Sequence, residues 1–375
     1  MMETVIDAPD GVRKAIQGVL CELLDRGLAE ALLVPMTMPA GNVAPMLVTN
    51  TAALDRADPL APVLPINAAR AVSNLTATEH REKLAVILRA CEIRALVELV
   101  KFKQANLDQV LIVGVDCLGT YRVTDYAQLV RRQAASVMEG LLAGAVTGEL
   151  TPHEGLAFRT ACQICEQPIP AGDHVALTIG LVGVAPGRVY LQARDDVAEA
   201  LGLVAGDAPP GRAAAIEKLI AARTQARDAA FAGFRGRLDS VDALLTEFSP
   251  CIRCYNCMTN CPICYCKECI FRTATFEHES QLYYQWAERK GAVRLLADTL
   301  LFHLTRLNHM VTSCVGCGMC TEACPVDIPV GTVFRAVGQQ VQALFDYHPG
   351  RSLNEAAPVQ EFREDELTDL GERPH

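Results

Sequence analysis

The chain has 375 residues, of which 50% are apolar and 21% charged, so it can bury two or three hydrophobic cores. The formal net charge of −10 counts against a nucleic-acid-binding protein, because contact with phosphates requires a basic face. No apolar run reaches the roughly 18 residues that a membrane span needs, and the N-terminus lacks the basic and apolar regions of a secretory signal. We therefore predict a cytoplasmic protein without a membrane span.

Residues 1–120 alternate between helix and strand patterns. "AIQGVLCELLDRGL" has helical spacing, "AEALLVPM" is typical of a buried strand ending at Pro35, and "QVLIVGVDCLGT" indicates a strand that closes in a loop. Helices alternating with strands predict an α/β domain with a largely parallel sheet. We assign this domain to residues 1–210, with further strands and Gly-rich turns over 174–206.

The second half of the chain has a different composition. A long helical pattern over 212–248 predicts a helical linker, residues 211–250, whose basic side chains face solvent or another subunit. A Cys-rich domain follows over 251–345, with a helical insert at 270–313. The remainder, 346–375, is acidic and contains prolines, which predicts an extended or disordered tail.

The 16 cysteines are the strongest functional signal in the sequence. In a long chain without an export signal, clustered cysteines indicate metal binding or redox chemistry rather than disulfides. The run C-x2-C-x2-C-x3-C-P, which bacterial ferredoxins use to bind [4Fe-4S] clusters, occurs twice. Its two copies comprise Cys251, Cys254, Cys257 and Cys261, and Cys314, Cys317, Cys320 and Cys324. Zinc sites favour separate C-x2-C pairs and do not require this repeat.

The spacing also predicts which cysteines share a cluster. Three thiolates on a tight loop reach one cubane, whereas the fourth, displaced onto the following helix, points to the neighbouring cluster. The first cluster is then bound by Cys251, Cys254, Cys257 and Cys324, and the second by Cys314, Cys317, Cys320 and Cys261. We predict an α+β domain of the two-cluster bacterial-ferredoxin type.

The remaining cysteines and the histidines lie outside these two ligand sets. Cys264, Cys266 and Cys269 are packed thiols, or one of them replaces Cys261 as a ligand. A single C-x2-C pair and two isolated cysteines upstream could meet as a four-cysteine site for a cluster or for zinc: Cys91, Cys117, Cys162 and Cys165. Cys21 lies in an amphipathic helix and is expected to be buried. His303 and His309 are expected to face solvent or a partner, and we predict no catalytic acid, base or nucleophile.

Taken together, "RACEIRAL", "GVDCLGT", "ACQICE" and the two long cysteine runs resemble the beta subunits of formate dehydrogenase and of deazaflavin-reducing hydrogenase. The resemblance extends from about residue 15 to 340. It implies an α/β domain that binds a flavin (FAD) and a third [4Fe-4S] cluster, held by Cys91, Cys117, Cys162 and Cys165. It also implies two kinds of partner, a catalytic dehydrogenase or hydrogenase subunit and another electron-transfer subunit.

The sequence departs from this family where flavin would bind. Family members have a Gly-Gly pair at the first helix, whereas this chain reads "DGVRKAIQG", in which Arg13 and Lys14 follow Gly11 and could bind a phosphate. A family Gly-Asn-Trp-Gly motif is replaced by "TIGLVGVAPG".

Two functions stay open. With flavin, the subunit exchanges a hydride with a carrier and passes on single electrons. Without flavin, it is an electron relay or docking adaptor in a heterodisulfide reductase-type complex.

Overall fold

A computed structural model describes residues 1–78, 82–292, 295–296, 298–361 and 364, with all their side chains except those of 133–136. The chain divides into two units. The first comprises Met1–Ala230 and Gly350–Leu353, and the second comprises Phe231–Pro349 and Asn354–His375. The division falls inside the predicted linker 211–250. Residues 362–363 and 365–375 of the predicted acidic tail lie outside the described residues.

In the described part of the first unit, seven strands form one sheet. They are β1 (Met2–Asp7), β2 (Ala31–Thr37), β3 (Val43–Val48), β4 (Leu84–Arg89), β5 (Val110–Val115), β6 (Val175–Gly180) and β7 (Arg188–Ala193). Their order is β1-β7-β6-β5-β4-β2-β3. The central neighbours β2, β4, β5 and β6 pair in parallel, whereas β1–β7, β6–β7 and β2–β3 are antiparallel. The predicted α/β class is confirmed, but the sheet is mixed rather than largely parallel, because three of its six strand pairs are antiparallel.

Burial explains the arrangement of the strands. Every residue of β4 and β6 is buried, as expected for central strands covered on both faces. β2 continues through Pro35 to Thr37, beyond the predicted end. Pro35 lies past Leu33, the last residue of β2 that pairs with β4, so its missing N–H removes no bond from that ladder. β1, which pairs along β7 from Met2 to Asp7, is a further strand that the residue pattern did not predict.

The helices of the first unit pack around this sheet or extend from it. They are α1 (Val12–Asp25), α2 (Ala69–Leu75), α3 (Ala90–Lys101), α4 (Val123–Thr147), α5 (Thr160–Gln163), α6 (Asp195–Leu201) and α7 (Arg212–Arg237), the last of which crosses the division between units. α1 buries Ile16, Leu20 and Leu23 in the main hydrophobic core. α4 ends at Gly148, whose φ of 76° is left-handed and therefore favours glycine.

The second unit contains helices but no strand among its described residues, so the β part of the predicted α+β domain is not present there. Its helices are α8 (Val241–Phe248), α9 (Asn256–Thr259), α10 (Ser280–Lys290), α11 (Thr299–Met310), α12 (Met319–Glu322) and α13 (Val330–Leu344). The single helical pattern predicted over 212–248 is broken between α7 and α8. Ser240 is the N-cap of α8, and its hydroxyl accepts a hydrogen bond from the Ala243 amide at 3.2 Å. Among the described residues, no helix combines the length and apolarity that crossing a membrane requires.

Candidate iron–sulfur centres

The two ferredoxin-type cysteine runs share one backbone conformation. In the second run, Gly316 and Gly318 have φ values of 72° and 71°. At the same positions of the first run, Arg253 and Tyr255 have φ values of 53° and 59°. Non-glycine residues are uncommon in this region and concentrate at functional sites. Glycines between ligands are a residue type that signals such a bend, whereas Arg253 and Tyr255 carry no comparable signal.

A short helix follows each loop and completes the repeat. α9 follows the first loop and α12 the second, and these two helices contact each other. The fourth cysteine of each run, Cys261 or Cys324, lies just beyond its helix. The two copies are therefore placed face to face, as a crossed exchange of fourth ligands requires.

Electrostatic neighbours show which thiols the fold brings together in the first group. The pKa of Cys257 is raised to about 11: burial contributes most, Arg306 opposes it, and Cys251, Cys254 and Cys324 add to the increase. Burial likewise raises the pKa of Cys251, with Cys324 and Cys254 adding to the effect. Cys324, from the second run, thus lies beside three cysteines of the first.

The second group has the reciprocal composition. Burial raises the pKa of Cys320 well above its usual value, and Cys261, Cys317 and Cys314 raise it further. Cys261, from the first run, therefore lies among the cysteines of the second. The predicted ligand sets stay predictions, but each set's members are neighbours.

One face of α11 contributes buried polar groups to the first cysteine group. His303 is buried, and its Nε2 lies 3.3 Å from Cys251 Sγ. Arg306, one turn later, places Nη1 3.2 Å from Cys257 Sγ. His303 also stacks on Phe248, with ring centroids 4.2 Å apart. The expectation that His303 faces solvent or a partner is wrong, whereas His309 is exposed.

The three surplus cysteines have different surroundings. Cys269 packs against Met258, with its Sγ 3.6 Å from the thioether sulfur, and Cys266 is exposed. The pKa of Cys264 is raised to about 11, mainly by burial and also by the neighbouring Cys261. Cys264 thus lies beside a predicted ligand.

The third candidate centre lies at the carboxyl ends of two parallel strands, a common position for ligand sites in α/β sheets. Cys91 is in the first turn of α3, directly after β4, and Cys117 follows β5. Burial raises the pKa of Cys117, and the thiols of Cys162 and Cys165 contribute to the increase. Three of the four predicted cysteines are therefore electrostatic neighbours, and Cys91 lies at the same edge of the sheet.

Buried arginines surround this third group. Burial tends to raise the pKa of Cys162, but Arg159, a hydrogen bond with Thr120 and Arg223 together lower it. The Thr120 hydroxyl lies 3.1 Å from Cys162 Sγ. Arg89 is also buried, and its Nη1 donates to the Val63 carbonyl at 2.7 Å.

The charge balance of this region fits an anionic ligand. Arg89, Arg159 and Arg223 are all buried, and Arg223 Nη2 has no hydrogen-bond partner in the described part of the chain. One buried carboxylate, Glu92, accepts from the Arg89 amide at 3.0 Å and offsets part of this charge. Buried charges require compensation. A cluster ligated by four thiolates would supply the remaining negative charge, so these residues fit a [4Fe-4S] group.

No three His, Cys, Asp or Glu side chains among the described residues are arranged to hold a single metal ion. This finding concerns sites of the zinc type, in which all ligands contact one ion. In a cubane, by contrast, the cysteines bind separate irons.

The region predicted to bind flavin contains a cavity of about 400 Å³. It is lined by Arg13, Asp58, Leu60, Ala61, Pro62, Tyr126, Leu129, Val137 and Met138. Arg13 Nη1 lies 3.4 Å from the Asp58 carboxylate, and Lys14 Nζ lies 3.0 Å from Asp55. Both cations proposed for a flavin phosphate are thus already paired with carboxylates.

The "TIGLVGVAPG" segment is packed against α7. A Cβ added to Gly183 would lie 2.3 Å from the Arg212 Cα, so this glycine admits the helix backbone. Val182 and Val184 on either side are buried. The described residues at this position therefore do not form an open cofactor cradle, and FAD binding stays a prediction.

Comparisons with known proteins identify a domain in the Cys-rich part of the chain and relatives along most of its length. Residues 247–328 match the family model of the 4Fe-4S dicluster domain. The F420-dependent formate dehydrogenase subunit beta of Methanocaldococcus jannaschii is 27% identical over 300 residues, which cover 72% of this chain and 74% of the relative. The F420-dependent formate dehydrogenase 1 subunit beta of Methanococcus maripaludis is 24% identical over 304 residues, 74% of each chain.

A solved chain of the F420-reducing [NiFe] hydrogenase complex from Methanosarcina barkeri is 12% identical, with a TM-score of 0.42. The match covers 64% of this chain and 93% of that one, and it supports no conclusion by itself. The predicted resemblance is confirmed by the sequence relatives and the domain match: this chain is an iron–sulfur protein related to the beta subunits of F420-dependent formate dehydrogenases.

Proposed function

We propose that this chain is the electron-transfer subunit of a multi-subunit oxidoreductase, linking a catalytic dehydrogenase or hydrogenase subunit to another electron-transfer subunit. The relatives' names and the dicluster domain support this function. When bound, [4Fe-4S] clusters would supply one-electron carriers, and the protein would set their position and potential. The observation that carries the proposal is the reciprocal placement of Cys324 and Cys261 among the cysteines of the opposite run.

In this proposal, two ligand sets lie in the second unit. They are Cys251, Cys254, Cys257 and Cys324, and Cys314, Cys317, Cys320 and Cys261. Each set joins segments about fifty or more residues apart, so bound clusters would also stabilise the fold. Backbone amides support the thiolates: the Arg253 N–H donates to Cys251 Sγ, and the Ile328 N–H to Cys324 Sγ, each at 3.4 Å.

The first unit would hold a third cluster through Cys91, Cys117, Cys162 and Cys165. Arg159 and Arg223 lower the free energy of the Cys162 thiolate, as their effect on its pKa shows. They would also balance the negative charge of the ligated site without contacting solvent.

The entry point for electrons has two candidate forms. If the first unit binds FAD, it would exchange a hydride with a soluble carrier, for which F420, the cofactor in the names of the relatives, is the candidate. The contacts of Arg13, Lys14 and Gly183 favour the second form, a flavin-free relay or docking adaptor in a heterodisulfide reductase-type complex. In that form the chain handles single electrons only.

One experiment separates these two forms. The full chain is purified anaerobically, its flavin content is measured, and its absorbance is followed after addition of reduced F420 or, separately, dithionite. The relay form predicts no flavin and no bleaching by reduced F420, but bleaching of iron–sulfur absorbance by dithionite. Bound flavin whose absorbance is bleached by reduced F420 would establish the hydride-exchanging form. Failure of dithionite to bleach the protein would contradict electron transfer by this chain.

A further inference from the structure

Arg306 occupies a buried position between the two cysteine groups of the second unit. It is 3% exposed and lies on α11. Its Nη1 donates to Cys257 Sγ at 3.2 Å, and its Nη2 to the Cys257 carbonyl at 3.0 Å. The carbonyl contact fixes the guanidinium plane, so the contact with sulfur does not depend on a freely rotating side chain.

The same guanidinium lies close to the second group. Its central carbon is 5.2 Å from the ring of Phe334 on α13, and α13 contacts α12, which carries Cys320. Burial tends to lower the pKa of Arg306, but the thiols of Cys257, Cys261, Cys320 and Cys264 favour its charged form and together raise it. Cys257 belongs to the first predicted ligand set, whereas Cys261 and Cys320 belong to the second, so Arg306 is a neighbour of both sets.

The surroundings of Arg306 leave its charge dependent on these thiols. No carboxylate in the described part of the chain forms an ion pair with it, and its buried Nε has no hydrogen-bond partner there. Two rings lie close to the guanidinium carbon, Phe302 at 5.5 Å and Phe334 at 5.2 Å. Cation–π contacts contribute, but a buried cation still requires a counter-charge.

We propose that Arg306 is a shared positioning residue that raises the reduction potentials of both clusters in the second unit. This inference rests on the proposed function, because it requires both clusters to be bound. Reduction adds one negative charge to a site, and a fixed buried cation favours that state. Hydrogen bonds to ligand sulfur act in the same direction. The cluster bound by Cys257 receives both effects, and the cluster bound by Cys261 and Cys320 receives the charge effect.

The test is a redox titration of the anaerobically purified full chain, followed by electron paramagnetic resonance, on wild type and R306Q. We expect both clusters to become harder to reduce, with the oxidised-to-reduced ratio at a fixed potential rising at least tenfold for the Cys257 cluster. For one electron this is a shift of about 59 mV to more negative potential. R306K keeps the positive charge, so its potentials should lie close to those of the wild type.

The control is R272Q, which removes an exposed arginine of the same unit whose described hydrogen bond is to Thr259. It should leave both potentials unchanged. Should R306Q assemble poorly, R306M replaces it with the same expected shift. Two results would overturn the shared role. One is unchanged potentials in a neutral Arg306 variant that retains the wild-type iron content, and the other is a shift in only one of the two clusters. Wild-type protein lacking both clusters of the second unit would instead contradict the proposed function.

Discussion

Replacing Asp116 by alanine should destabilise the first unit and the loop that carries Cys117. Asp116 directly follows β5, and its Oδ2 accepts the amide hydrogens of Leu181 at 2.8 Å and Val182 at 3.0 Å. Its two oxygens also accept from Arg212, at 2.7 Å from Nη1 and 3.2 Å from Nη2. This carboxylate thus connects the Cys117 loop to the end of β6 and to the start of α7.

The expected loss follows from burial. The side chains of Asp116 and Arg212 are 0% and 9% exposed. Removing one partner of such a pair leaves an uncompensated buried charge, which lowers the free energy of unfolding by about 3–5 kcal/mol. Arg212 retains the Val182 carbonyl at 2.8 Å and the Tyr190 ring at 4.6 Å. Because these contacts remain, we expect the loss in free energy of unfolding for D116A to lie towards the lower end of that range.

A matched control is available in the same unit. Arg194 and Asp196 form the same two-pronged contact, at 3.0 and 2.8 Å, but their side chains are 45% and 65% exposed. D196A should therefore lower the free energy of unfolding by less than about 1 kcal/mol.

Urea unfolding followed by circular dichroism measures both variants. The only tryptophan, Trp286, lies in the second unit, so its fluorescence should report little of the change in D116A. We also expect D116A to lose iron from the first unit selectively, because the loop that carries Cys117 loses its anchor. A D116A variant no less stable than D196A would refute this account of the pair.

Three further outcomes follow from other contacts. C324S should alter the resonance spectrum of the cluster assigned to Cys251, Cys254 and Cys257; a change in the other cluster alone would refute crossed ligation. H303F should keep the stacking on Phe248 but lose Nε2, which lies 3.3 Å from Cys251 Sγ and would donate to that sulfur once it is a thiolate ligand. The cluster should then be harder to reduce in a redox titration, whereas an unchanged potential would show that the contact has no electrostatic effect. G148A should lower the free energy of unfolding by at least about 1 kcal/mol, since its Cβ would lie 2.0 Å from the Ala215 carbonyl oxygen at a left-handed φ. G140A, in the same helix with open space around it, should instead stabilise by up to about 1 kcal/mol, so equal effects in urea unfolding would contradict this explanation.

The sequence predicted those parts of the site that depend on local spacing. The intervals between cysteines predict the ligand-bearing loops, because three thiolates on one tight turn can reach a single cubane. Gly316 and Gly318 mark two positions in such a loop where the backbone bends. Arg253 and Tyr255 adopt the same left-handed backbone without any residue type that signals it.

Contacts between distant segments could not be predicted in this way. His303 and Arg306 are polar residues on the buried face of α11, which also carries Phe302 and Met310. That pattern could have suggested buried roles, but not that their partners are Cys251 and Cys257. The same limit applies to β1, whose pairing with β7 joins the chain's start to residues almost two hundred positions away.

Anaerobic determination of iron and acid-labile sulfide per chain tests the central claim most directly. Three [4Fe-4S] clusters predict about twelve irons and about twelve sulfides. The matched variant C162S should lose about four of each while both clusters of the second unit persist. A wild-type content near eight irons would contradict a cluster at Cys91, Cys117, Cys162 and Cys165, and zinc without sulfide in their place would assign that site to another metal. Fewer than about eight irons in the wild type would contradict the two-cluster domain on which the proposed function depends.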